Sequence, residues 1–451
     1  MIEVKLLAKT DVHPLDLASH AALMCYQDTP PDFGKKIDVK SRLFDVGHHT
    51  TLQHYYMTYR IEGIAVGDVT FGLHLASPFY NSDQRSGRFC AKMFLNPDFG
   101  NIEEYVKFFW PNISFGNIGK IIDYVKDGLE IYFSNIEGAT NFAKKFIKEE
   151  RPFASEKYIE ANASKFAQEQ MRMFIPVIFP TGLDYTINLS SLAAFYGSAW
   201  SPATKHITEK MAMIMLTSFP ELHFMFDDKG QRKGEWQFLF KKDEIKQEIS
   251  YESLLWGSDV SFSHHFIKPE PEKIHPVDCL HYWPELMDNN FGEIKTDIEI
   301  SLATMGQDQR HRTISRSEPY FTGRFYLPPL LKEMSLENKA MIFLRRWLDM
   351  AEKIPPTLTR VIAPYGAMVR YCKRGSLNAI THEQMKRLCW CAQEEIYHLS
   401  RKLRNQVSND NLLSVFAPVC YKTGICGEGT RYCGRDIHIR ETGDYFPERK
   451  V

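Results

Sequence analysis

Between Gln307 and Pro329 the chain reads QDQRHRTISRSEPYFTGRFYLPP, with His311 between Arg310 and Arg312 and a Ser/Thr/Arg-rich run leading to Gly323 and Arg324. No hydrophobic period accounts for so much cationic hydrogen-bonding capacity in so few residues. Arginine presents a planar fork of donors that matches phosphate and carboxylate oxygens two at a time. The chemistry to expect is capture of an anionic ligand. The histidine should be the neutral member, because the positive charges on either side disfavour its imidazolium. A solvated basic turn is the other reading of an RHR triplet standing alone.

Other elements must hold these groups in place. MIEVKLLA alternates as an opening strand, and an amphipathic helix is expected after His13 to about Tyr26. The polar, proline-containing QDTPPDFGKK reads as a loop. Within the stretch from Val46 to Ala76, MTYRIEG alternates as a strand that Gly63 closes. LEIYFSNI and NFAKKFIKEE carry a helical period.

Composition narrows the function classes. The 451 residues hold 55 basic and 56 acidic side chains, so a general nucleic-acid or membrane-surface binder is not indicated and local clusters must do any phosphate binding. The length suits two or three domains. The start lacks a basic and an apolar signal region, and no apolar run reaches the roughly 18 residues of a membrane span. Nine cysteines at irregular spacing read as reduced thiols. The expectation is a soluble, cytoplasmic protein.

The RHR stretch resembles the signature of the flavin-dependent thymidylate synthases: RHR, two residues, Ser, then a short run into Ser-x-Arg. Arg310, His311, Arg312 and Ser315 fit, as does Gln307 three residues ahead; the run to Thr322-Gly323-Arg324 is two residues longer, and Thr322 replaces the usual Ser. Upstream, Gly47, His48, Thr50 and His54 fit the family's Gly-His-x-Ser/Thr-x-x-Glu-His element, with Gln53 in place of Glu. The RHR that should follow reads Leu73-His74-Leu75, with Thr70 for the glutamine, and Ser86-Gly87-Arg88 restores the ending.

By this resemblance the chain holds two copies in tandem. The family's Arg-x-x-x-Pro segment occurs as Arg360 to Pro364 and as Arg172 to Pro176, 188 residues apart. Its Arg-x-x-x-x-Ala-Gln-x-Glu-Ile helix occurs as Arg387, Ala392, Gln393, Glu395 and Ile396, whereas Ala199 stands where the first copy should have the arginine. Ser86 and Thr322 are 236 apart, so the first copy carries 48 extra residues, placed as helices at about 96–158. The charged stretch KGQRKGEWQFLFKKDEIKQE puts the boundary near Lys242, giving copies 1–242 and 243–451. The fold class implied is α+β: two copies of the synthase fold, each a mixed or antiparallel sheet flanked by helices, forming a pseudo-dimer in one chain. Two such chains would make a homodimer that mimics the family's tetramer.

The copies are damaged in complementary places. The first keeps His54 and Ser86-Gly87-Arg88; the second keeps Gln307, RHR, Arg360 and Arg387, while LHYWPELMDN around His281 is a poor substitute for the Glu-His element. Since the family's sites lie between protomers, a duplicated chain can keep one composite site while its twin decays.

The resemblance implies conversion of dUMP to dTMP with methylenetetrahydrofolate as one-carbon donor, FAD as the flavin and NADPH as its reductant, with no enzyme nucleophile. It implies that Arg310, His311, Arg312 and Asn188 contact the flavin. Gln307, Arg360, Arg387, Ser86, Gly87 and Arg88 would hold the nucleotide, and His54, Ser86, Arg88 and Arg387 would line the reacting centre. Thr322 and Arg324 would belong to the decayed twin. The flavin-binding Asn-x-Arg pair has become Asn188-x-Ser190 and Ser376-x-Asn378. That loss leaves open C5 modification of another pyrimidine nucleotide, or a non-catalytic nucleotide-binding relic.

Near the end, Cys420, Cys426, Cys433 and His438 offer four zinc-type ligands, but without the short CxxC spacing of a zinc site they read as reduced thiols. Cys372, Cys389 and Cys391 read as helix-packing residues, and His264, His265 and His275 as loop histidines.

Overall fold

The computed structural model describes residues 2–74, 80–88, 90, 92–199, 201–227, 254–255, 259–266, 292–407, 416–426, 432–438 and 446–451. Lys242 with the charged stretch around it, His275, and the segment around His281 lie outside the described residues. The chain divides into two compact units. One holds Met1–Ser86, Leu95–Ile118 and Ile178–Gln237, and the other holds Gly87–Phe94, Gly119–Val177 and Phe238–Val451.

In the first unit, strands β1 (Glu3–Lys9), β2 (Tyr56–Ala65), β3 (Tyr80–Gln84) and β4 (Pro180–Asn188) form an antiparallel sheet in the order β1-β2-β4-β3. The alternation of MTYRIEG is what builds β2: Met57, Tyr59 and Ile61 are buried, while Arg60 between them is exposed. Gly63 does not end the strand. It adopts φ +78° where the pairing with β4 shifts register, a bulge that a side chain would strain. The helix Pro14–Met24 begins where His13 caps it, its Nδ1 accepting from the Leu15 amide at 3.3 Å.

In the second unit, β5 (Leu254–Leu255), β6 (Asp259–Phe266), β7 (Gly292–Ser301), β9 (Tyr320–Tyr326) and β10 (Ala367–Ser376) lie in the order β5-β9-β10-β7-β6, with the two-residue β8 (Ser315–Arg316) also on β10. His264 and His265 therefore sit in a strand, not a loop. All pairings are antiparallel except β5 with β9.

The two sheets share one order of strands. β1-β2-β4-β3 reads as β6-β7-β10-β9, and β5 is an addition at the edge. β4 runs directly into the helix Leu189–Ser198 and then Pro202–Ser218; β10 runs directly into Leu377–Arg387 and then Glu394–Gln406. Within the second unit the two Arg-x-x-x-Pro segments pair with each other. Pro176 bridges Pro364, the Val177 amide donates to Ala363 at 2.8 Å, and the Tyr365 amide donates to Ile175 at 2.9 Å. Under the 188-residue offset each of these two bonds is the counterpart of the other.

The region of about 96–158 is largely helical, with Phe99–Phe109 and the 36-residue Phe115–Glu150. The helix expected to run from Arg387 to Ile396 is broken. Leu377–Arg387 ends, a turn of five residues follows, and Gln393 caps Glu394–Gln406. The turn persists because its carbonyls bond to guanidinium groups: Arg449 takes those of Trp390 (3.2 Å) and Ala392 (2.6 Å), and Arg88 takes that of Cys391 (3.2 Å). Cys389 and Cys391 lie in this turn and Cys372 in β10, so none of the three packs a helix. Among the described residues no helix is long and apolar enough to cross a membrane.

Candidate functional site

The helix Leu302–Asp308 carries Gln307 and delivers the RHR residues. Ser301 caps it, its Oγ accepting from the Thr304 amide, and Glu395 accepts from the Ser301 amide at 2.7 Å and from the hydroxyls of Ser301 and Thr304. Glu395 therefore braces the helix that carries Gln307. Arg310, His311 and Arg312 follow in a turn outside the helix, their backbone held by Arg316. Its guanidinium donates to the carbonyls of Asp308, His311 (3.1 Å) and Ile314 (2.8 Å) and to the Asp308 carboxylate (2.6 Å). A side chain that captures three carbonyls stops a helix as a capping motif does.

Arg310 is exposed, Arg312 partly buried and His311 buried, with no hydrogen-bond partner at Nε2. His311 is held neutral, well below its usual pKa. Burial is the chief cause, with the charges of Arg387, His382 and Lys373 adding to it against the opposing pull of Asp308. Neutrality was expected from the sequence; the cause is burial and charges from other elements, not the flanking arginines.

Around Gln307 the second unit assembles residues from distant parts of the chain. Gln307 donates to the Gln393 side-chain oxygen at 2.5 Å, and Arg172 donates to the same oxygen at 2.9 Å. Arg387 donates to the Gln307 carbonyl, and Arg88 reaches the Gln307 side-chain oxygen at 3.4 Å. Arg88 is paired with the buried Glu169, Nε to Oε1 at 2.5 Å. Gln168, next along the helix Glu156–Met171, donates to the carbonyls of Gly87 (3.2 Å) and Arg88 (2.9 Å). A Cβ at Gly87 would stand 3.0 Å from the Tyr365 hydroxyl and 3.4 Å from Arg172, so glycine permits this approach. The Arg172 guanidinium lies over the Tyr365 ring at 5.1 Å.

Cations are crowded here. Burial, with the charges of Arg88 and Arg310, brings Arg387 down to about 10 against the pull of Glu383 and Asp308. Burial also lowers Arg172, and Arg88 adds to it. Arg387 therefore remains charged at neutral pH, and an anion among these donors would reverse the penalty. Arg387 Nε, Gln393 Nε2 and His311 Nε2 are buried polar atoms without a hydrogen-bond partner. The donor set fits a phosphate-bearing ligand.

The remaining expected site residues divide between the units, with Arg360, Thr322 and Arg324 in the second and Asn188, His54 and Ser86 in the first. Arg360 is buried, and its charge partly offsets the burial that raises the carboxyl of Glu318. Thr322 and Arg324 flank Gly323 (φ +74°) where β9 bulges from β10, and both bond Glu299. Asn188 is buried, its side-chain oxygen accepting from the Ser191 amide at 2.8 Å to cap a helix. His54 ends the short 3-10 helix His49–His54 in the first unit and is exposed, and Ser86 closes that unit's first segment. In the tail, Cys433 belongs to a hydrophobic cluster against which Cys420 packs, and burial pushes the Cys420 thiol up to about 12. No group of three or more His, Cys, Asp or Glu side chains among the described residues is placed to hold a metal.

Glu169, Gln168 and Tyr365 carry no signal in the sequence. Arg172 had one, as the counterpart of Arg360.

Together these features describe an α+β protein with a buried cluster of arginine and glutamine side chains. Residues 5–223 match the family described as thymidylate synthase complementing protein. The match ends before the RHR segment. Among solved structures, the chain is similar to thymidylate synthase X (ThyX) from Helicobacter pylori with FAD and dUMP, at 20% identity and a TM-score of 0.31. A second structure, flavin dependent thymidylate synthase ThyX from Helicobacter pylori complexed with FAD and dUMP, gives 21% and 0.32. Each covers 51% of this chain and 100% of the other. No curated protein matches.

Proposed function

We propose that the chain is a flavin-dependent thymidylate synthase that converts dUMP to dTMP with methylenetetrahydrofolate and NADPH. Its site is composed of Gly87, Arg88 and Arg172 from one tandem copy and Gln307, His311, Arg312 and Arg387 from the other. The carrying observation is that Arg88 and Arg172 converge on Gln307 and Gln393 across more than two hundred residues of sequence. The shared strand order and the reciprocal pairing of the two Arg-x-x-x-Pro segments support the tandem reading.

Within this reading, Arg387, Arg172 and Arg88 bind the nucleotide phosphate and pyrimidine oxygens, and Gln307 orients the ring. Arg310, His311 and Arg312 would hold FAD, with the neutral His311 free to donate one hydrogen bond. Bound flavin would supply the redox and one-carbon chemistry. Burial of Gln307, Gln393 and Arg172 keeps their hydrogen bonds in a low-dielectric setting where they orient strongly. Asn188 and Ser376 head helices, and neither copy has the arginine that would complete the pair. That favours, as a second reading, C5 modification of a different pyrimidine nucleotide.

The test is turnover. Purified protein with FAD, NADPH and methylenetetrahydrofolate should convert dUMP to dTMP. Turnover of another pyrimidine monophosphate in its place would favour the second reading. Nucleotide binding without turnover of any of them would leave a binding relic.

A further inference from the structure

Arg316 is not among the signature residues, yet its guanidinium donates to three backbone carbonyls in and beside the RHR turn. It is about nine-tenths buried, and β8 pins it to β10 opposite Lys373. Its donors close on the carbonyls of Asp308, His311 and Ile314, which bracket the turn from which Arg310, His311 and Arg312 project. The Asp308 carboxylate that it grips also accepts from Tyr371 (2.7 Å) and Lys373 (2.7 Å). Lys373 in turn bonds both oxygens of Glu383, at 2.6 and 2.8 Å. Glu383 belongs to the helix that ends at Arg387, and Arg387 returns to the Gln307 carbonyl one residue before Asp308.

We propose that Arg316 is a positioning residue for the flavin-binding turn, and that the buried chain Arg316–Asp308–Lys373–Glu383 sets that turn's register against the Arg387 helix. This rests on the functional reading above. A guanidinium is needed because only its fork can serve three carbonyls and a carboxylate at once; a lysine keeps the charge opposite Asp308 and loses the fork. The buried ion chain also disfavours alternative registers, since any shift would strand a charge away from water.

The experiment uses the full-length Arg316→Lys variant. Three readouts are taken: the melting temperature, hydrogen exchange at the amides of residues 309–314, and FAD and dUMP binding. The expected result is a fold that melts near the wild type, faster exchange confined to the turn, and FAD affinity lower by roughly tenfold to a hundredfold, as when a supporting partner of a site is lost. dUMP affinity, set by Arg88, Arg172 and Arg387, stays close to wild type. Unchanged exchange and unchanged FAD affinity overturn the proposal. A general loss of melting temperature with exchange rising throughout the unit also overturns it, because that marks a role in stability alone. If the wild type takes up no FAD, the flavin reading fails, and the exchange of the turn still decides the role of Arg316.

Discussion

Arg172 and Gln307 meet on a single atom, the side-chain oxygen of Gln393, at 2.9 and 2.5 Å. One acceptor thus fixes an arginine from the first half of the chain against a glutamine from the second. Gln393→Ala takes the acceptor from the buried Gln307 amide and leaves that nitrogen of Arg172 only the Ala303 carbonyl, so it should destabilise by about 1–3 kcal/mol. Gln393→Glu is the sharper probe. The added carboxylate pairs with Arg172, so the melting temperature holds, while a negative charge beside the proposed phosphate site lowers dUMP affinity by at least about tenfold. Calorimetric titration of dUMP checks this, and an unchanged affinity would separate Gln393 from the nucleotide site.

At Gly87 an added methyl would meet the Tyr365 hydroxyl and the Arg172 guanidinium, both movable groups. Gly87→Ala should therefore leave the fold standing and displace Arg172, raising the dUMP dissociation constant. Tyr365→Phe in the same chain removes the nearer obstruction and should recover part of the loss. No recovery in the double variant would locate the obstruction elsewhere.

Each chain should bind one nucleotide. In the first unit the segment matching RHR is satisfied internally: His74 bonds Ser82 at 2.8 Å and stacks on Tyr80, which stacks on Tyr185 at 5.2 Å. Equilibrium dialysis with labelled dUMP should saturate at one per chain; saturation at two would show that both sites remain competent.

Glu394 gives a pH signature. Burial, then the charges of Glu169 and Glu395, raise its carboxyl to about 8. A raised pKa means that its contribution to stability is complete below the unfolded value of about 4.3 and is lost as pH rises through about 8. Gln resembles the protonated acid, so Glu394→Gln should match the wild type near pH 5 and exceed it at pH 9 by on the order of 1 kcal/mol or more. Thermal melts at the two pH values test the sign. A variant less stable than wild type at pH 9 contradicts it.

Much of this was legible in the sequence because the informative residues are short-range. The alternation in MTYRIEG fixes β2, and Gly87, Arg88, Gln307 and Arg387 are picked out by the resemblance to the synthase signature. Two things were not legible. Nothing local distinguishes Arg172 from Arg360, since both occupy the same motif; only the packing puts Arg172 on Gln393 and Arg360 beside Glu318. The break after Arg387 was hidden for a similar reason. Neither glycine nor proline marks it, and the carbonyls of the turn are satisfied by Arg449 and Arg88, far away in sequence. Likewise, Arg316 looked like one more basic residue until Asp308, Lys373 and Glu383 were placed around it.

The most direct measurement is the visible absorbance of the purified full-length protein during titration with dUMP. A composite flavin and nucleotide site predicts flavin absorbance at one equivalent per chain, shifted by dUMP. Arg312→Ala should then lose flavin, and Arg387→Ala should lose the dUMP response. A colourless protein that takes up no FAD on reconstitution would contradict the account and leave a nucleotide-binding protein without the chemistry.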